Sequence, residues 1–205
     1  MRKQLWQKMS VSRDKFKIAG IQPPEPERGS SSIAGTEIIR SQLPDIFSKY
    51  NITSMFDAGS NDGAWAKTMC NFVKYSGGDI NPEVVKAAKI NNPDLDIVEF
   101  DVLEDLFPSV DLVFVRDVSI HLTNFEKQML LINFVKSQVP WLMITQLPNI
   151  AVNHDIPIDC NIITAETNWC LAPWNFPTPV DSVYEYTPGG RCLALWHRDQ
   201  LVNIL

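Results

Sequence analysis

The 205-residue chain has no apolar run long enough to cross a membrane, and no apolar stretch follows its charged start, Met1–Trp6. These absences predict neither a membrane anchor nor a secretory signal, so we expect a soluble, cytoplasmic protein. The four cysteines form no CxxC pair and no cluster with histidine. We therefore expect free thiols and no zinc or other metal site.

Positive charge is also scarce. Lysine and arginine number 18 against 24 aspartates and glutamates, which gives a formal net charge of −6 and a pI near 5.0. A protein of this charge lacks the broad basic surface that binds nucleic acid, so long polyanions are disfavoured as partners. The length and the 45% hydrophobic content suit one α/β domain with a single core.

The first residues differ in composition from the rest of the chain. They are rich in Lys, Arg, Pro, Gly and Ser, and Pro23–Pro26 and Gly29–Ser32 mark irregular backbone. We predict that residues 1–32 form an N-terminal arm or lid and that residues 33–205 form the folded domain.

Short apolar runs alternate with helical patterns through most of the chain. The runs are Thr53–Asp57, Tyr75–Asp79, Asp96–Phe100, Asp111–Arg116 and Trp141–Gln146, and the helical patterns are Thr36–Tyr50, Ala64–Val73, Pro82–Asn91 and Phe125–Ser137. This alternation predicts a doubly wound, mostly parallel sheet with helices on both faces. Pro44 predicts that the first pattern forms two short helices or one kinked helix.

The C-terminal pattern is different. Two further runs, Val183–Tyr186 and Arg191–Arg198, are joined by Thr187–Gly190. A short connection with two glycines between apolar runs is typical of a β-hairpin. We therefore predict that the sheet ends in an antiparallel hairpin.

The segment Asp57-Ala-Gly-Ser-Asn-Asp-Gly63 carries the strongest functional signal. Gly59 and Gly63 permit a sharp turn and a close approach of the backbone to a ligand. The next apolar run ends at Asp79, roughly 20 residues on, where a carboxylate can accept both hydroxyls of a ribose. This order of strand, turn, helix, strand and acid predicts a nucleoside-cofactor site.

Two cofactor classes compete for such a site. Dinucleotides require Gly-x-Gly-x-x-Gly, whereas the spacing here is Gly59-x-x-x-Gly63, with Asp57 before the turn and Asp62 inside it. Carboxylates repel a pyrophosphate and attract a sulfonium and an ammonium group. The motif therefore favours S-adenosyl-L-methionine over a nicotinamide cofactor.

These motifs resemble a known superfamily. Residues 57–63 are similar to the first motif of class I S-adenosylmethionine-dependent methyltransferases, and Gly77–Pro82 is similar to the second. The first motif has Asn61 where a third glycine is usual. Three further segments, Val115–Leu122, Leu142–Gln146 and Ala172–Pro177, resemble a poorly characterised bacterial and phage branch. The resemblance runs from about Gly29 to the C-terminus and implies a Rossmann-like sheet whose last strand is antiparallel.

Ligands bind beyond the carboxyl ends of strands in such sheets, so the residues there are cofactor candidates. The resemblance implies that Asp101 faces the adenine amino group while Val102 offers its backbone N–H to the ring. A helix cap is the alternative for Asp101, and a salt bridge to a nearby acid is the alternative for Arg116. The predicted cofactor-binding residues are Asp57, Gly59, Asn61, Gly63, Asp79, Ile80, Asp101, Val102 and Arg116.

Asp117 and His121 follow the fourth run and are the catalytic candidates. The resemblance implies that this strand end faces the methyl group. An imidazole can take a proton from a substrate hydroxyl near neutral pH, which makes His121 the predicted base. The alternative is a structural role beside the cofactor or at the next helix, where Thr123–Glu126 predicts a capping box. Asp117 is expected to bind the cofactor ammonium or to orient the substrate.

The aromatic and proline-rich segment Asn168–Pro179 is the candidate acceptor wall. The alternative is that its rings only cover the sheet edge. A loop before it can also reach the site. The predicted substrate-binding residues are His154, Trp174, Asn175 and Phe176.

The fourth run also excludes some reactions. It lacks the Asn/Asp-Pro-Pro-Tyr motif of enzymes that methylate amino groups of nucleobases, and it lacks a Pro-Cys nucleophile. The cofactor motifs, the acidic pI and the aromatic segment together lead us to expect O-methylation of a small molecule or glycan. The alternatives are a nucleotide, nucleic acid or protein acceptor contacted by the basic N-terminal arm, and a non-catalytic S-adenosylmethionine-binding protein.

Overall fold

The computed structural model describes residues 32–156, 164–185 and 190–204. Its strands are β1 (Ser54–Ala58), β2 (Lys74–Asp79), β3 (Asp96–Glu99), β4 (Leu112–Val115), β5 (Trp141–Gln146), β6 (Asp181–Tyr184) and β7 (Cys192–His197). They form one seven-stranded sheet in the order β3-β2-β1-β4-β5-β7-β6. The first five strands are parallel, and β7 is antiparallel to both β5 and β6. The predicted parallel sheet with a C-terminal antiparallel hairpin is confirmed.

Within the described ranges, three α-helices cover the sheet, namely α1 (Glu37–Lys49), α2 (Pro82–Asn91) and α3 (Asn124–Lys136). The side chains of α1 and α2 pack in one core cluster and those of α3 in a second cluster. Strand β4 separates the two clusters, because Leu112 and Phe114 point to the first and Val113 and Val115 to the second. The sheet is therefore covered on both faces, as predicted.

The helix ends follow the local sequence. Asn81 caps α2, since its side chain accepts a hydrogen bond from the Glu83 N–H, and Pro82 occupies the first turn, where its missing N–H costs nothing. Thr123 and Glu126 form the predicted capping box at the start of α3. One helix, α1, spans most of the Thr36–Tyr50 pattern and continues through Pro44.

The helix predicted over Ala64–Val73 is wrong. The connection from β1 to β2 contains a short 3₁₀-helix at Ala66–Thr68, flanked by turns. Its backbone bonds mostly join residues three apart, such as Met69 N–H to the Ala66 carbonyl. The spacing of four buried residues resembles that of a helix: Trp65, Ala66, Met69 and Val73. However, a short connection that contains Asn and β-branched residues favours the tighter turns of a 3₁₀-helix.

The predicted arm, residues 1–32, lies outside the described residues except for Ser32, and so does most of the Thr187–Gly190 connection. The division into arm and domain stays a prediction. In the part of the chain that is described, no helix combines the length and the apolar character needed to cross a bilayer.

The parallel arrangement has one consequence for function. The carboxyl ends of β1 to β5 meet at the same edge of the sheet. Residues that follow these strands are far apart in the sequence and close in space. The candidate site is built there.

Candidate functional site

The loop after β1 turns sharply because three of its residues have positive φ angles: Gly59 at 91°, Asn61 at 52° and Gly63 at 70°. The N–H groups of Gly59 and Ser60 both donate to the Gly78 carbonyl, at 2.7 and 3.1 Å. Asparagine tolerates the left-handed region better than most residues. That tolerance explains how Asn61 can stand where related motifs have a glycine.

The predicted turn is confirmed, but the space beside the two glycines is filled by protein. A Cβ on Gly59 would lie 2.2 Å from Val118 Cγ2, and a Cβ on Gly63 would lie 2.9 Å from Ile97 Cδ1. A Cβ at either position would therefore force these side chains to shift and would be strained by the positive φ angle. The presence of glycine at these two positions is explained without the close approach of a ligand that we expected from the sequence.

Asp79 ends β2 beside this turn. Its Oδ2 accepts a hydrogen bond from the Asn61 N–H at 3.2 Å, and its Oδ1 accepts one from the Asn81 N–H at 2.9 Å. Burial raises the pKa of this carboxyl above its usual value. Because two carboxylate oxygens offer about four acceptor positions, both oxygens can still accept ribose hydroxyls. Ile80, the next residue, is half-buried.

Asp57 lies within β1 and is only 3% exposed. The Tyr75 hydroxyl donates to its Oδ2 at 2.8 Å. Burial raises the pKa of Asp57 to about 7, although the bond from Tyr75 and the charge of Arg116 act in the opposite direction. Near neutral pH both the protonated and the anionic form of this carboxyl are populated, and a cation bound close by would favour the anionic form.

Four charged side chains meet beyond the end of β4, and we call them the ionic cluster: Arg116, Asp117, Glu185 and Arg191. Arg116 Nε donates to Glu185 Oε1 at 2.8 Å, and Arg116 Nη1 lies 3.8 Å from Asp117 Oδ2. Arg191 Nε lies 2.9 Å from Glu185 Oε2, and Arg191 also pairs with Asp117. The cluster joins the β4 end to the hairpin.

Most of this cluster is buried. The Arg116 and Glu185 side chains are 6% and 2% exposed. Desolvation, together with the charge of Arg116, lowers the pKa of Arg191 to about 10, so its guanidinium stays charged at neutral pH. Removing one member of a buried pair typically costs about 3–5 kcal/mol because the other charge is left uncompensated. The salt-bridge interpretation of Arg116 is confirmed for its side chain, while cofactor contact stays a prediction.

Asp117 has an unusual backbone. Its φ angle is 61°, and its N–H donates to Thr145 Oγ1 on β5 at 3.0 Å. A non-glycine residue in this region is held there by its surroundings, and such residues are concentrated at functional sites. The position of Asp117 therefore supports the prediction that it acts in the site.

His121 ends a 3₁₀-turn, Ser119–His121, directly after this segment. It is half-buried, and its backbone N–H donates to the Val118 carbonyl at 3.0 Å. The adjacent Ile120 carbonyl accepts from the Ala165 N–H at 2.7 Å, so the segment after β5 covers the turn. His121 therefore lies in the turn that follows the end of β4, and its role as a base stays a prediction.

Two buried hydroxyls lie in the loops just described. Ser60 and Ser119 are 2% and 0% exposed. Neither Oγ has a hydrogen-bond partner within the described residues. Buried polar groups are nearly always paired, so each of these hydroxyls has capacity for a further hydrogen bond.

Asp101 follows β3 and forms a local cap. Its Oδ1 accepts from the Leu103 N–H at 3.0 Å, and its own N–H donates to Asp105 Oδ2 at 2.7 Å. The Val102 carbonyl accepts from Asn133 Nδ2 at 3.1 Å. Asp101 therefore caps a turn; the helix that its capping interpretation required is not present there. Adenine contacts by Asp101 and Val102 stay predictions.

The predicted acceptor residues divide into two groups. Trp174 and Phe176 lie in the core at 6% and 3% exposure, and both pack against the fully buried Trp169. His154 and Asn175 are exposed. Covering the sheet is thus the role that the structure gives to the two rings. Trp174 Nε1 is buried without a partner in the described ranges, which leaves its indole N–H for an acceptor.

A polar network fixes this aromatic segment to β5. Gln146, the last residue of β5, accepts from the Trp169 N–H at 2.8 Å and donates to Asn168 Oδ1 at 2.9 Å. Asn153 Oδ1 accepts from the Asn168 N–H at 2.8 Å. The pairing joins residues about twenty positions apart and was not expected from the sequence, although Gln146 stood out as a strand end.

Two further observations concern metal ligands and surface grooves. In the ranges that the structure describes, no group of three histidine, cysteine or acidic side chains could hold a metal ion. A surface groove is present, but its lining contains no predicted site residue. Its lining residues are Leu103, Glu104, Thr123, Phe125, Glu126 and Met129.

Comparisons with known proteins identify the fold. A scan against protein-family models found no match, and a search of curated proteins also found none. Among solved structures, magnesium protoporphyrin IX methyltransferase from Synechocystis PCC 6803 aligns over 92% of this chain and 96% of its own, with TM-score 0.58 and 14% identity. The N-methyltransferase NodS from Bradyrhizobium japonicum WM9 aligns over 78% and 94%, with TM-score 0.56 and 16% identity.

Other matched structures are longer than this chain. Mitomycin 7-O-methyltransferase aligns over 81% of this chain and 55% of its own, with TM-score 0.59 and 11% identity. The chain spans 48% of an amino pentose methyltransferase from Micromonospora echinaspora, with which it shares 17% identity at TM-score 0.46. At such low identity the likeness establishes the fold. The chain has the fold of class I S-adenosylmethionine-dependent methyltransferases.

The raised pKa of Asp57 predicts a gain in stability when its charge is removed. Between the usual pKa of 3.8 and about pH 7, Asp57 is protonated in the folded chain and ionised in the unfolded chain. The stability that this group contributes is therefore lost as pH rises through that window. Asp57→Asn should raise the free energy of unfolding at pH 8 by about 1–3 kcal/mol. Urea unfolding at pH 8 and pH 5 measures the gain, which should shrink at pH 5.

Asp181→Asn is the matched control for this prediction. Asp181 is a surface carboxylate whose pKa is lowered by hydrogen bonds from Lys49, Ser182 and Tyr50. Its removal should give no gain at pH 8. Equal or lower stability of Asp57→Asn at pH 8 would contradict the assignment of a desolvated charge at this position.

Proposed function

We propose that this chain is an S-adenosylmethionine-dependent methyltransferase that methylates a hydroxyl group of a small molecule or glycan. The observation that carries the proposal is the carboxyl edge of the sheet. There Asp79 is bonded through both oxygens to the backbone beside a turn of positive-φ residues. Asp57 and the ionic cluster lie next to them.

The donor set suits this cofactor. The strand order places Asp101, Asp79 and Asp57 on three neighbouring strands or their ends, where they would hold the adenine, the ribose and the cationic amino-acid part in turn. The hydroxyls of Ser60 and Ser119, which have no hydrogen-bond partner among the residues that the structure describes, add two polar groups near the turn. Anionic groups repel a pyrophosphate and stabilise a sulfonium, which favours S-adenosylmethionine.

Similar structures support the cofactor and the acceptor class. The protoporphyrin enzyme was solved with S-adenosylmethionine bound, and the mitomycin protein is a 7-O-methyltransferase. Both act on small molecules. The similar NodS protein is an N-methyltransferase, so the choice of oxygen here depends on His121 rather than on the fold.

The residues of the chain bind the cofactor, orient the acceptor and accept a proton. The cofactor supplies an electrophilic methyl group on sulfur. The β1 loop and Asp79 bind and orient it, and Asp117 orients the acceptor hydroxyl. His121 would accept the proton of the acceptor hydroxyl as its oxygen bonds to the methyl carbon and the carbon–sulfur bond of the cofactor breaks. Positioning supplies most of the acceleration in such a transfer.

Cofactor binding should depend on Asp79. Asp79→Ala removes the acceptor for two ribose hydroxyls, and charge-assisted bonds of this kind contribute about 1.5–3 kcal/mol each. Calorimetry with S-adenosylhomocysteine should show a loss of affinity of at least about tenfold. Asp96→Asn, at the start of β3 on the opposite edge, is the control and should bind normally. Unchanged affinity of Asp79→Ala would remove Asp79 from the cofactor site.

Turnover should depend on His121. Because a positioned base contributes about 10²–10⁴ to the rate, His121→Ala should bind cofactor like the wild type and transfer methyl more slowly by that factor. The measurement is methyl transfer to the first active compound from a panel of hydroxylated acceptors. Loss of cofactor affinity or of folding would instead establish a structural role. An unchanged rate would move the base to Asp117 or His154.

A further inference from the structure

We infer that Glu185 and Arg191, on the β6–β7 hairpin, are positioning residues that set the charge beside the sulfur of the bound cofactor. They act through Arg116 and Asp117. The inference rests on the proposed function, because it requires that S-adenosylmethionine binds at the carboxyl edge. It makes the hairpin part of the cofactor site, although its sequence resembles no cofactor motif.

The hairpin fixes the relative position of the two residues. The last ladder pair, Tyr184 and Cys192, is followed directly by Glu185 and Arg191. The Glu185 N–H donates to the Arg191 carbonyl at 3.1 Å. The two side chains are therefore cross-strand neighbours, which places opposite charges side by side.

Glu185 joins the two arginines. Its Oε1 accepts from Arg116 Nε at 2.8 Å, and its Oε2 lies 2.9 Å from Arg191 Nε. The Glu185 side chain is 2% exposed, whereas that of Arg191 is 23% exposed. Asp117 pairs with the same two arginines. Two positive and two negative charges give the ionic cluster a formal charge of zero.

The cluster lies one strand away from the glycine turn. Strand β4, which Arg116 and Asp117 follow, pairs with β1, and Phe114 is the register partner of Asp57. The charge of Arg116 acts on Asp57. The N–H of Asp117 is bonded to Thr145, so these residues cannot move away from the edge independently. An uncompensated charge in the cluster would therefore act on a cation held over β1 and β4.

Two ligands distinguish this electrostatic role from a purely structural one. S-adenosylmethionine carries a positive charge on sulfur, and S-adenosylhomocysteine has a neutral sulfur in an otherwise similar molecule. A change in local charge alters the ratio of their affinities, whereas a distorted site weakens both. The ratio of the two dissociation constants is therefore the measured quantity.

The test compares Glu185→Gln, Arg191→Gln and the double variant by calorimetry with both ligands. Glu185→Gln leaves the cluster with one excess positive charge and should weaken S-adenosylmethionine relative to S-adenosylhomocysteine by about tenfold. Arg191→Gln leaves one excess negative charge and should shift the ratio the opposite way. The double variant is neutral again and should restore the wild-type ratio.

Lys49→Met is the matched control. Lys49 pairs with Asp181 at 2.8 Å on the outer end of the same hairpin, where its side chain is 63% exposed. Loss of the Lys49–Asp181 pair should leave the ratio of the two dissociation constants unchanged. If Glu185→Gln does not fold, Arg191→Gln against Arg191→Lys makes the same comparison, because Arg191 is partly exposed and lysine keeps the charge.

The outcomes separate the inference from the proposed function. Opposite shifts in the two single variants and recovery in the double variant support it. Equal losses for both ligands, or no change in the ratio, overturn it and leave the proposed function standing. A wild-type chain that binds neither ligand overturns the proposed function, and this inference with it.

Discussion

The pairing of β1 with both β2 and β4 is the constraint on which the candidate site depends. Parallel pairing brings the strands' carboxyl ends level, so the turn after β1 lies between Asp79 on one side and Arg116 on the other. The same pairing allows the Gly78 carbonyl to accept two N–H groups of the turn. The turn is therefore held by the sheet and does not need a ligand to take its shape.

Charge compensation is the second requirement of this edge. A parallel sheet buries its strand ends, and a buried charge is tolerated only when a partner or a proton neutralises it. Asp57 meets the requirement with a proton and a bond from Tyr75. Arg116 meets it with Glu185, which the hairpin supplies. The antiparallel hairpin thus contributes charge balance as well as a covered edge.

The sequence predicts the features that depend on local residues. Each predicted parallel run overlaps a strand. The helix predicted over Pro82–Asn91 has the same bounds as α2, because Asn81 and Pro82 mark its start. The prediction of a helix over Ala64–Val73 was wrong because buried residues at similar spacing also fit 3₁₀-turns. The Arg116–Glu185 pair joins residues 69 positions apart, and no spacing rule reveals such a pair. The burial of Trp174 and Phe176 shows that an aromatic-rich composition does not reveal whether a segment lines an acceptor site or packs in the core.

The acids at the carboxyl edge, the buried Asp57 and the half-buried Asp79, oppose stability when they are ionised. Burial raises the pKa of both Asp57 and Asp79, which means that their anionic forms are destabilised in the folded chain. A bound cation would compensate that cost at the moment of binding, since it favours the ionised carboxyls. Part of the affinity would then come from relief of a strain already present in the protein. Apolar replacements would remove this strain and the selectivity for a cationic cofactor together.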